Sequence, residues 1–112
     1  MKHVTDLSQT CDTDCPVAKA SEVFGTKWTT LIIRDLLSGK KRYSELERSL
    51  VGISPRMLAA RLSMLSDLGL ISKKIYPTVP PKTEYSLTDK GRAMEGVIVA
   101  MATFGAGLLQ SA

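Results

Sequence analysis

Two cysteines, Cys11 and Cys15, stand four positions apart, with Asp12 and Asp14 between them and Pro16 directly after. Thiols this close can hold a metal, close a disulfide or react as a redox-sensitive nucleophile. Two thiolates and two carboxylates within five residues lack the C-x2-C spacing of a metal clip, and His3 is the sole histidine. No metal site is therefore expected. A disulfide within the chain needs Cα atoms roughly 4.4–6.8 Å apart, which an extended arm can supply. A bond between two chains is equally open. If Pro16 is the first helical residue, Cys15 is the N-cap and the helix dipole favours its thiolate. Lys19 acts in the same direction; Asp12 and Asp14 oppose it. The bland alternative is a quiet reduced cysteine.

The second set of chemically useful residues is basic. The chain carries +4 net, unevenly distributed. Residues 1–39 sum to −1, residues 40–92 to +6 and residues 93–112 to −1. A basic middle between near-neutral ends points to a polyanion-binding centre, against the plainer reading of a solvated basic face. Catalytic chemistry finds no support. There is no plausible nucleophile–histidine pair, no phosphate-binding glycine-rich loop and no carboxylate pair in an apolar setting. The expectation is a protein that is not an enzyme and needs no cofactor.

These residues need elements to position them. The length of 112 residues suits one domain. Residues 1–14 are polar and aperiodic and read as a flexible arm; residues 15–112 read as the domain. Pro16 opens a helix whose Val17, Ala20, Val23 and Phe24 share a face. A second helix, over 26–39, has a wide apolar stripe through Trp28, Leu31, Ile32 and Leu36, as a central helix should. Asp35 lies within that stripe and calls for a basic partner. KKRYSELERSLVG, residues 40–52, reads as a short amphipathic helix on Tyr43, Leu46 and Leu50. Ser54 and Pro55 are good N-cap and N1 residues for a fourth helix, with Leu58, Leu62 and Leu65 inward and Gly69 as its stop. ISKKIY and TEYSL read as two strands joined by the proline-rich PTVPPK. Thr88 caps a last helix, about 88–109, apolar nearly all round. No apolar run approaches the ~18–20 residues of a bilayer span, and MKHVTDLSQT has no secretory h-region. With two cysteines, these features suggest the reducing cytoplasm.

Four helices, a hairpin and a helix make a mainly α fold with a small β-wing. The third and fourth helices are separated only by a few residues around Val51, Gly52 and Ile53, a helix-turn-helix spacing. A DNA-reading helix must present a non-apolar face, with N-terminal side chains near base edges. Ser54, Arg56 and Met57 hold that place, and an arginine can pair with both acceptors of a guanine edge. Lys40, Lys41, Arg42 and Ser44 before this helix, Arg61 on it, and Lys73, Lys74 and Lys82 on the wing could fix the register through phosphates.

The runs C-P-V (15–17), G-x-K-W (25–28), L-x-x-G-x-x-R-Y-S-E-L (36–46), G-I-S-P-R-M-L (52–58), R-L-x-x-L (61–65), L-G-L-I (68–71) and Y-P-x-V-P-P-K-x-E-Y-S-L-T-x-x-G (76–91) closely resemble the HxlR-type branch of MarR-like bacterial transcription regulators. The resemblance implies a winged helix-turn-helix homodimer, built through the N- and C-terminal helices and bound to a palindromic operator of double-stranded DNA. It places Ser54, Pro55, Arg56, Met57 and Arg61 in the recognition helix, and Val79, Pro80, Pro81 and Lys82 at the wing tip. It implies a repressor by default, though such proteins also activate. Many relatives of this type respond to oxidants or electrophiles, with a cysteine where Cys15 stands; Cys11 is outside the shared pattern. Two rival readings are a thiol redox enzyme using Cys11 and Cys15, and a winged helix that contacts protein rather than DNA.

Overall fold

The structure, a computed structural model, describes residues 15–111. The chain runs α1 (Pro16–Phe24), α2 (Lys27–Leu37), β1 (Lys41–Arg42), α3 (Tyr43–Ser49), α4 (Pro55–Asp67), β2 (Ile71–Tyr76), β3 (Lys82–Leu87), a 3-10 turn (Gly91–Met94) and α5 (Glu95–Ser111). Residues 1–14, including Cys11 and His3, lie outside the described residues.

The core forms where apolar stripes meet. Ile32, Ile33 and Leu36 of α2 are buried together with Leu46 and Leu50 near α3, and Leu58, Leu62 and Leu65 of α4. Ile71, Tyr85 and Met94 close it from the sheet side. The spacing of Leu58, Leu62 and Leu65 lays all three on one side of a 3.6-residue helix, so seating them fixes its rotation. Trp28 is half-buried against this core, and its ring carries the Lys27 ammonium 4.8 Å from the centroid.

Local chemistry sets the ends of α4. Ser54 Oγ accepts from the Met57 amide at 3.0 Å. At the other end Gly69 takes φ +75°, and the Gly69 and Leu70 amides donate to the carbonyls of Ser66 and Leu65 at 2.9 and 3.0 Å. A left-handed residue ending a helix with such bonds is the usual role of glycine. Gly52, φ +96°, likewise turns the chain between α3 and α4.

The sheet departs from the expected hairpin. Lys41 and Arg42 begin no helix; they form a third strand, giving the antiparallel order β1-β3-β2. Lys41 opposes Tyr85 and Arg42 opposes Glu84. The KKR segment has no apolar period to hold it helical, and the open edge of β3 offers its backbone groups a ladder. Arg42 then serves as N-cap of α3, its amide donating to Glu45 Oε1 at 2.8 Å. The wing tip contains a cis Val79–Pro80 bond, and the Thr78 hydroxyl donates to the Pro80 carbonyl at 2.8 Å. Thr88 accepts the Gly91 amide at 3.0 Å, but a 3-10 turn precedes the α-helix proper.

The last helix corrects a second expectation. The helical run Gly91–Gln110 has the length and mean hydropathy, 1.4, of a membrane span. Its base is anchored through buried Met94 and half-buried Ile98. Phe104, Leu108 and Leu109 are 71%, 58% and 80% exposed. Much of the apolar surface of α5 is thus open, as is Val17 of α1.

Replacing Leu62, 2% exposed, by alanine leaves a cavity in the α2–α4 contact and should cost about 3 kcal/mol. A denaturation midpoint lowered at unchanged slope would show it.

Candidate nucleic-acid interface

With Leu58, Leu62 and Leu65 turned inward, the opposite side of α4 is open. Ser54, Pro55, Arg56, Ala60 and Ser63 are exposed there. Arg56 makes no hydrogen bond or ion pair among the described residues. Its guanidinium therefore stands unpaired in the first turn of the helix after the tight turn. Met57 and Arg61 behave differently. Both are half-buried, and Arg61 Nε donates to Met57 Sδ at 3.3 Å. The predicted recognition set thus divides into an exposed group led by Arg56 and a flank tied to itself.

The basic residues before and after α4 divide too. Lys40 is exposed and lies 3.8 Å from Glu84 Oε1. The same carboxylate oxygen accepts from the Tyr76 hydroxyl at 3.0 Å, and Lys74 Nζ sits 4.9 Å from the Tyr76 ring centroid. Lys74 is opposite Glu84 in the sheet register. Lys40, Lys74, Tyr76 and Glu84 therefore form a cluster on one face of the wing. Lys73 opposes Tyr85 and, by strand alternation, points to the other face, toward α4. Lys41 is half-buried in β1, and Arg42 and Ser44 are exposed at the start of α3. Val79, Pro80, Pro81 and Lys82 are all exposed at the wing tip.

Packing gives two further residues their settings. Tyr85 is buried, and burial raises its phenol above the ordinary 10.0, with a smaller push from Tyr43. It is a neutral donor at physiological pH. Ser49 donates to Asp35 Oδ2 at 2.6 Å while Arg34 Nη2 holds Oδ1 at 2.9 Å. The basic partner sought for Asp35 is thus its own neighbour, and the second bond joins α2 to the end of α3. A helix-end serine gives no signal of such a bond until the elements are packed.

Cys15 occupies the N-cap position of α1, in extended backbone, without a side-chain capping bond. It is disulfide-bonded, so in this state it offers no thiolate to the helix terminus. No cluster of metal-ligating side chains occurs among the described residues.

Two helices across a tight turn, followed by a β-wing, define a winged helix-turn-helix protein of the MarR-like kind. The family model described as HxlR-like helix-turn-helix matches residues 23–112, and the chain belongs to that family. It is 36% identical to the uncharacterized HTH-type transcriptional regulator sll1512 of Synechocystis over 86% of this chain and 71% of that protein. It is 41% identical to the uncharacterized HTH-type transcriptional regulator YdeP of Bacillus subtilis, covering 81% and 71%. Among solved structures, a Porphyromonas gingivalis W83 protein placed in the MarR family superposes with TM-score 0.82 at 45% identity, over 88% of this chain and 96% of that one. The redox regulator HypR in its reduced form gives 0.80 at 36% identity, over 88% and 100%. The protein is a helix-turn-helix transcriptional regulator, and its relatives are regulators rather than enzymes.

Ser54→Ala removes the acceptor that caps α4 and should lower stability by about 1 kcal/mol, whereas Ser54→Asp should retain most of it. Urea denaturation of the two variants distinguishes capping from any other role of the hydroxyl.

Proposed function

We propose that the protein is a sequence-specific DNA-binding regulator that acts as a homodimer on a palindromic operator in the cytoplasm. The observation that carries this reading is Arg56, exposed and unpaired in the first turn of α4. An unpaired guanidinium in that place can donate two bonds to one guanine edge. Ser54 and Pro55 flank it, while Met57 and Arg61 support it from the side. Arg42 and Ser44, with Lys41 behind them, and the wing residues Lys73, Lys74, Pro80, Pro81 and Lys82 suit phosphate contacts. Lys40 suits that role less well, since Glu84 lies beside it.

A second copy of the chain is the partner that suits α5. An exposed surface of Phe104, Leu108 and Leu109, continued by Val17, is larger than a soluble monomer ordinarily leaves open. Pairing through α1 and α5 would set the separation of two α4 helices, each meeting a half-site one helical turn, roughly 34–36 Å, from the other. Repression is the default sign of such binding.

The signal is read through Cys15. Its position at the foot of α1 couples sulfur chemistry to an element of the proposed dimer interface. Among the structural neighbours, HypR is described as a redox regulator and has been captured in oxidized and reduced forms, and YodB as diamide-treated. An oxidant or electrophile is accordingly the inducer, and Cys11 is the candidate partner thiol.

Affinity for the DNA upstream of the protein's own gene should fall steeply with salt, log K against log salt having a slope near −0.9 per phosphate contacted. Two chains should occupy one symmetric site, and Arg56→Ala should relax one base position per half-site, at about 1–3 kcal/mol. A flat slope without sequence preference would instead favour a winged helix that contacts protein. For the signal, diamide should change DNA affinity of the wild type and leave Cys15→Ser unmoved. An equal response in both would remove Cys15 from the sensor role.

A further inference from the structure

Between α4 and the inward face of the wing lies a cleft of about 470 Å³. Tyr43, Ser63, Ser66, Lys73, Thr83 and Tyr85 line it, over a floor that includes Leu62. Its polar lining consists of hydroxyls and one ammonium, with no carboxylate. The hydroxyls of Ser63, Ser66, Thr83 and Tyr85 make no hydrogen bond among the described residues, and Lys73 makes no ion pair there. Tyr43 donates to the Pro55 carbonyl only at 3.4 Å.

Tyr85 is the telling member. Its side chain belongs to a residue only 6% exposed, yet its hydroxyl has no partner. No fully enclosed side-chain nitrogen or oxygen lacks a partner among the described residues. The Tyr85 oxygen must therefore open on the cleft. A donor that opens on a cleft whose lining holds no acceptor carboxylate offers an incoming anion a bond for which no charged protein group competes. A cluster of donors beside a cation selects an oxyanion.

We propose that this cleft is an oxyanion seat, and that its occupant is one phosphate of the DNA strand that passes between the groove entered by α4 and the groove met by the wing tip. The assignment rests on the DNA-binding reading above. Placement favours a strand over a free anion. Ser63 at the mouth lies two turns along α4 from Arg56, on the same exposed side. On the opposite wall, Lys73 and Thr83 lead along the inward strand face to exposed Ile75 and then to the tip. A duplex held by both the helix and the wing must thread its backbone through the space between them. Tyr43, Ser63, Thr83 and Tyr85 are thereby assigned to phosphate binding together with Lys73.

The test uses the full chain and an operator duplex carrying a neutral methylphosphonate at successive backbone positions. At one position per half-site, loss of the charge should weaken the wild type about tenfold, as for a charge-assisted contact. The same substitution should change little in a Tyr85→Phe/Lys73→Gln variant, which should bind unmodified duplex about tenfold more weakly with its base preferences intact. Tyr85→Phe keeps the ring, and an unchanged unfolding midpoint shows that the variant is folded. Methylphosphonate losses of equal size in wild type and variant at every position overturn the seat while leaving DNA binding standing. Failure of the wild type to bind any duplex defeats the underlying reading instead. Inorganic phosphate, titrated against the DNA-free protein and followed by NMR at the Tyr85 ring, is the other arm. Saturation there without any backbone position coupled to the variant would assign the cleft to a free anion and overturn the strand.

Discussion

The seating of three leucines governs this molecule. Leu58, Leu62 and Leu65 leave water against Ile32, Ile33 and Leu36, and that single contact decides which side of α4 is hidden and which is offered. Fully burying a leucine side chain is worth roughly 1.5–3 kcal/mol. Rotating α4 by one residue would exchange Leu62 for Ser63 or Arg61 at the core and leave hydroxyl or guanidinium groups desolvated. The outward stance of Arg56 is thus a consequence of apolar packing two to nine residues away. Ser54 and Gly69 finish the helix at either end, so its length is set by caps and its rotation by the core.

The wing is joined to that frame from two sides. Ile71 and Tyr85 plant its base in the core, and β1 stitches its free edge to the start of α3 through the Lys41–Tyr85 and Arg42–Glu84 pairs. The alternation of strand side chains then sorts neighbouring lysines onto different surfaces. Lys74 joins the Tyr76–Glu84 cluster; Lys73 faces the cleft beside α4. Two adjacent residues of the same type therefore work in different electrostatic settings. Glu84, shared by Lys40 and Tyr76, neutralises part of one wing face, whereas the cleft face has no acidic group.

α5 shows the opposite situation. Its composition satisfies the demands of a buried helix, yet the chain folds so that most of it is bare. Met94 and Ile98 anchor the base, and beyond them Phe104 and Leu108 stay largely exposed. The length and hydropathy of this helix are also those of a membrane span, so composition alone does not distinguish a bilayer from a protein neighbour. Membership of a helix-turn-helix regulator family favours the protein neighbour.

Much of the fold was legible from residues alone. The helix opened by Pro16, the helix between Pro55 and Gly69, a last helix placed at about 88–109, strands over 71–76 and 83–87, and the inward leucines follow from caps, proline and glycine positions and apolar periodicity, all of which act within a few residues. Ser54, Pro55 and Arg56 could be placed for the same reason. Other features had to wait for packing. β1 exists because β3 has an unpaired edge, which no property of Lys41 or Arg42 announces. The pairing of Arg61 with Met57, the bond between Ser49 and Asp35, and the unpartnered hydroxyl of Tyr85 depend on distances across elements. Sequence by itself determined the main helices and the two wing strands, though not β1, together with the winged helix-turn-helix class and the exposed head of α4, because those are local or periodic properties. Only the tertiary structure decided which basic residues are already engaged and where donors converge without an acceptor, because hydrogen bonds and ion pairs act over a few ångströms between residues distant in the chain.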